Sequence, residues 1–141
     1  MSEKKHNPFK LRDFVGVDPD QVTRLSGIGI KHTNQMLTVG RTPESRKKLA
    51  RQAGIPVEAV VELVKLSDLA RLPGVKGIRA RLYYACGVDT VAKLAAFEPE
   101  ALLELTAEFV RSSGFAGIPP LPKEVSSTIA KARTLPNLVE W

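Results

Sequence analysis

No stretch of the chain keeps a sustained alternation of apolar and polar residues, and glycine and proline sit at the ends of its apolar segments. That punctuation predicts an all-α fold of short helices and no sheet. Asp18, Pro19 and Gln21 predict an N-cap, a first-turn proline and a capping box, opening a helix that runs to about Leu25. A tight turn at Ser26-Gly27-Ile28-Gly29 leads to a second helix from about Lys31 to Val39, with Gly40 as its left-handed C-cap. Pro43 to Ala53, closed by Gly54, and Pro56 to about Leu66 predict two more helices, each with proline near its start.

The same plan then recurs. A shift of 47 residues superposes Arg24-Leu25 on Arg71-Leu72, Gly27-Ile28 on Gly74-Val75 and Gly40 on Gly87. The register drifts to 45 at Lys48-Leu49-Ala50 and to 42 at Glu58 to Leu63, as insertions between helices would make it do. In the second copy Ser67 is expected to cap a short helix. A turn at Pro73 to Gly77, a helix from Ile78 to Cys86 and accessory helices over Asp89–Ala96 and Pro99–Val110 follow. Ser112 to Pro122 is a Gly/Pro-rich connector, and a last helix over about Lys123–Arg133, with Val125 and Ile129 at i, i+4, is expected to dock on a repeat. The organisation is thus a tail and apolar strap (1–17, with Phe9, Leu11, Phe14 and Val17 facing the first repeat), repeats over 18–66 and 67–111, and a connector with docking helix over 112–141. Residues 1–8 are expected to be disordered and 135–141 to pack down or hang free.

Charge refines this picture. The net +6 is carried entirely by residues 21–51, where seven bases face one acid, while Glu98, Glu100, Glu104 and Glu108 form an acidic stretch without a base. Such segregation points to an anionic partner. The single cysteine, Cys86, forms no bridge within the chain, no Cys/His cluster has metal-ligand spacing, and no apolar run reaches the roughly 18 residues of a membrane span. A cytoplasmic protein without metal or other cofactor is expected, with no membrane partner and no small-molecule substrate.

Leu25-Ser26-Gly27-Ile28-Gly29-Ile30-Lys31-His32-Thr33 resembles the helix-hairpin-helix motif, with Leu25, Gly27, Ile28, Gly29 and Thr33 at its defining positions. The copy at Leu72-Pro73-Gly74-Val75-Lys76-Gly77 departs from it, because Lys76 stands where the second glycine belongs. Together with Cys86 to Val91 and Pro120 to Val125, the tandem arrangement resembles a bacterial domain-of-unknown-function family, number 4332, over nearly the whole chain. The resemblance implies two tandem helix-hairpin-helix repeats that grip the sugar-phosphate backbone of DNA or RNA with little base specificity.

The residues expected to do so are Gly27, Ile28, Gly29, Lys31, Arg46, Lys47, Lys48, Gly74, Val75, Lys76 and Arg79. Glycines would let the turn approach a phosphate, helix N-terminal amides would bind its oxygens, and Ile28 or Val75 would pin each turn to the core. Lys76 would strain its turn, so the first hairpin is expected to bind more strongly. With only His6 and His32 as histidines and scattered carboxylates, the chain is expected not to be an enzyme. The competing expectation is a protein–protein adaptor or a subunit of a larger bacterial assembly that uses the hairpins as scaffold. His32 is expected to be exposed, Cys86 to lie in the core, and at least one of Tyr83 and Tyr84 to be packing.

Overall fold

The computed structural model describes residues 9–141; the expected disordered tail over residues 1–8, with His6, lies outside them. The described residues form eight α-helices, a three-residue 3-10 turn at Leu11–Asp13, and no strand. In order they are α1 (Pro19–Gly27), α2 (Thr33–Val39), α3 (Pro43–Ala53), α4 (Val57–Leu69), α5 (Gly77–Ala85), α6 (Val91–Ala95), α7 (Pro99–Ser113) and α8 (Pro122–Ala132). No helix among these residues is long and apolar enough to cross a membrane.

α4 is the hub. It is apolar nearly all round, and α2, α3 and α5 pack on it, burying Val60, Leu63, Val64, Leu66 and Leu69. α6 and α7 pack in turn on α8, whose Val125 and Ile129 are buried at the expected i, i+4 spacing. In the segment expected as the strap, Leu11 and Phe14 are buried and Phe9 and Val17 lie against the core, and Val15 N donates to the Gly77 carbonyl, so it touches α5 as well as the first turn. The last residues pack down as well: Glu140 N donates to the Arg41 carbonyl, and the Arg46 guanidinium sits 5.3 Å from the centre of the Trp141 ring.

Several local expectations change. Ser67 caps nothing. It is enclosed inside α4, which runs on through Asp68 and Leu69, so the division drawn between residues 66 and 67 passes through a helix. Asp18 caps α1 by accepting from Asp20 N at 2.9 Å, without the box to Gln21. Side-chain boxes form instead at Thr42 and Ser45, which exchange hydrogen bonds at the start of α3, and at Gln35, which accepts from His32 N at 3.0 Å. Gly40 has φ −99°, so no left-handed cap requires it. A Cβ there would lie 2.4 Å from Val64 Cγ2, which makes close approach of α2 to α4 the reason for glycine. Gly54 and Gly87 take the left-handed role, at φ 71° and 88°.

Asp68 ties the second half together from within α4. Its carboxylate accepts from Arg71 Nη1 at 2.8 Å and from Val91 N, the first amide of α6, at 2.8 Å. Both partners satisfy a charge that is 4% exposed.

Candidate functional site

By backbone conformation and burial the two turns correspond at a shift of 45 in place of 47. Gly29 at φ 90° corresponds to Gly74 at φ 81°, and each is followed by a buried apolar residue, Ile30 or Val75, and then by Lys31 or Lys76. Gly27 ends α1 in helical conformation and Ile28 is 45% exposed, so Ile30 pins the first turn in place of Ile28. Val75 pins the second, as expected. Lys76 does not stand at a glycine position and bears no strain, with φ −118°. The expected inequality of the hairpins therefore loses its backbone ground.

The backbone amides differ instead. In the first turn every amide from Ile28 to Thr33 donates inside the protein: Ile28 and Ile30 to the Leu25 carbonyl, Gly29 to Ser26, Lys31 and His32 to Gln35 Oε1, and Thr33 to the Phe9 carbonyl. The strap supplies the last of these acceptors and is itself held by Leu11 N donating to the Lys31 carbonyl at 2.9 Å. No amide from Ile28 to Thr33 is left for a phosphate oxygen, whereas Asn34 N, in the first turn of α2, meets no acceptor among the described residues. Among the described residues the amides of Gly77, Ile78 and Arg79 meet no acceptor, the ordinary state of a helix's first turn.

The cations divide in the same way. Arg46 is buried, donating to the Gly40 carbonyl at 2.8 Å and to the Glu140 carbonyl at 2.9 Å. Burial pulls its guanidinium down from its ordinary value, against the pull of Glu140 and Glu44. Arg79 pairs with Glu124 of α8 at 2.7 Å and donates to the Ile118 carbonyl, and Lys76 Nζ donates to the Ala70 carbonyl at the end of α4. These three hold the fold together. Lys31, Lys47 and Lys48 are exposed and have no ion pair among the described residues, as are Arg41 and Arg51. On α3, Lys47, Lys48 and Arg51 fall on the face opposite Leu49, Ala50 and Ala53.

Lys10 and Arg12 join this set and were not singled out from the sequence. The alternation Phe9-Lys10-Leu11-Arg12 was the available signal, for it turns the apolar pair inward and the bases outward. His32 is half-buried beside Lys10, not exposed as expected. Cys86 is half-buried and its thiol is pushed up to about 11 by burial, which keeps it protonated. Tyr83 is the packing tyrosine: burial, with Glu124 adding to it, pushes its phenol up to about 12.

The family model of a domain of unknown function, DUF4332, matches residues 15–135. The chain belongs to the DUF4332 family. A curated relative of this DUF4332 chain, uridylate cyclase of Burkholderia cepacia, is 32% identical over 90 residues, which cover 63% of the chain and 34% of that protein. The chain thus spans about a third of the relative's length. No solved structure matches. The expectation that the chain is not an enzyme is corrected by this match, because the relative that aligns with 63% of the chain is named as one. The lack of a catalytic pattern in the sequence did not carry that conclusion: the match extends over only 34% of the relative.

Proposed function

We propose that the chain binds the sugar-phosphate backbone of nucleic acid, with little sequence preference, through side-chain cations of its first half as two helix-hairpin-helix units hold them in place. The observation that carries this reading is the solvent face of α3, where Lys47, Lys48 and Arg51 stand side by side without ion pairs among the described residues, whereas the exposed Arg24, Lys93, Arg111 and Arg133 each face a carboxylate. Lys31 at the turn and Arg41 at the start of the same segment extend the charge. The turn amides from Ile28 to Thr33 contribute little because each already has an acceptor, so charge attraction to phosphates supplies most of the affinity. Replacing Lys47 and Lys48 together by Glu is expected to weaken binding of every duplex sequence alike, at least tenfold at low salt, in a fluorescence anisotropy titration. A loss confined to some sequences would contradict backbone binding.

The match to a uridylate cyclase favours a second reading, in which the chain serves as part of an enzyme acting on uridylate. Incubating the purified chain with uridine nucleotides and searching for a cyclic product by mass spectrometry tests it. Turnover supports that reading directly; its absence confines it to a role alongside a separate catalytic part.

A further inference from the structure

The strap and the first turn meet in a short antiparallel bridge between Lys10 and His32. Leu11 N donates to the Lys31 carbonyl and Thr33 N to the Phe9 carbonyl, both at 2.9 Å. That pattern makes Lys10 and His32 a non-hydrogen-bonded pair, whose side chains stand close together on one side of the bridge. Beside it lies a recess of about 270 Å³ lined by Lys10, Arg12, Val22, Ser26, Lys31 and His32. Three permanent cations, an imidazole and a hydroxyl converge there, and no carboxylate lines it. Nothing in the fold requires this convergence, since none of the three cations forms an ion pair among the described residues.

Like charges held together repel one another, and an anion relieves that repulsion. A phosphate fits best, because it accepts from a guanidinium in two places and from lysines as point charges. A second recess of about 410 Å³ shares the walls of Arg12, Val22 and Ser26 and adds Phe14, Val17, Pro19 and Thr23. The first is cationic, and the second sets Phe14, Val17, Pro19 and Val22 beside Arg12 and the hydroxyls of Thr23 and Ser26. Small-molecule sites commonly measure about 300–1,000 Å³ with a few placed polar groups, and the two neighbouring recesses are each near or within the lower part of that range.

We infer that this junction is a nucleotide site: the phosphate lies among Lys10, Arg12, Lys31 and His32, and the nucleoside lies over Val22, Val17 and Phe14. The site shares Lys31 with the charge that extends the α3 face, but none of Lys47, Lys48 and Arg51 lines it. The same chemistry belongs to a free nucleotide or to one nucleotide of a single strand.

The test uses the full chain with adenosine 5′-monophosphate, adenosine and a twelve-residue oligothymidylate as probes, followed by calorimetry at low salt. The monophosphate is expected to bind at least tenfold more tightly than adenosine. Lys10→Ala combined with Arg12→Ala is expected to weaken it at least tenfold, whereas Lys47→Glu with Lys48→Glu leaves it within twofold. Both strap side chains are exposed, so the fold should survive, as a thermal melt would show. If it does not, Lys31→Ala is the substitute and is expected to cost about fivefold. A parallel loss of oligothymidylate binding identifies a strand as the source of the phosphate, and its retention identifies a free nucleotide. Equal binding of adenosine and its monophosphate, or a monophosphate affinity untouched by the strap and Lys31 substitutions, overturns the inference. So does the absence of any monophosphate binding. Failure of the α3 reading appears separately, in the response of duplex binding to the Lys47 and Lys48 substitutions.

Discussion

At the scale of single residues, some glycines are there for close packing. Gly77 opens α5, and a Cβ on it would lie 2.5 Å from the Asp13 carbonyl oxygen. Gly77→Ala should therefore push the strap away and lower stability by about 1–3 kcal/mol, read as a fall in Tm. An unchanged melt would mean that the strap is not seated on α5. Asp89 gives a pH signature. Burial acts to raise its carboxyl, but the hydrogen bonds from Lys65 and Lys93 outweigh it and hold the group below its ordinary value. A depressed folded value contributes stability above the unfolded aspartate range and loses it as pH falls through the folded value. Asp89→Asn should thus be less stable than the parent at neutral pH, with the difference shrinking below about pH 4. A gap that stays constant down to about pH 2 would contradict the ion-pair account. Arg46 shows how a residue's role was legible yet overlooked. It belongs to a basic run, but it also stands at i−3 and i−4 from Leu49 and Ala50, on the buried face of α3.

At the scale of elements, the order of the helices and most of their starts and stops followed from punctuation, because Pro19, Pro43, Pro99, Gly54 and Gly87 act locally on backbone geometry, but the separate short helix expected after Ser67 does not exist. What eluded the sequence was set by contacts between distant segments. α4 continues through Ser67 because neighbouring helices bury it on all sides, so its capping propensity is overruled. The turn register was misassigned because Gly27 and Gly29 look alike in sequence, while only Gly29 has a positive φ. That difference is measurable. A Cβ on Gly27 meets nothing within 4 Å in a helical backbone, so Gly27→Ala should raise stability by up to about 1 kcal/mol. Gly29→Ala should lower it by about 1 kcal/mol or more, since its φ of 90° suits no other residue well. Equal effects in a denaturant titration would return the turn to the register read from the sequence. The pairing of Arg79 with Glu124 was equally hidden, for 45 residues separate them and only the docking of α8 brings them together.

At the scale of the whole molecule, charge segregation in the sequence survives folding in an edited form. Arg46, Arg79 and Lys76 are withdrawn to hold the fold, and Lys10 and Arg12 are added from the strap. The basic surface that remains belongs chiefly to the first half and faces solvent through side chains. A surface of this kind attracts polyanions by releasing their counterions, with an affinity that depends steeply on salt. An adaptor that docks proteins through apolar turns would not share that dependence. The central claim is therefore tested most directly by measuring the affinity of the chain for a duplex oligonucleotide across a range of salt concentrations. With about four to six phosphates neutralised, log K should fall linearly with log salt at a slope of about −4 to −5. A flat response, or no binding at the lowest salt, would contradict it.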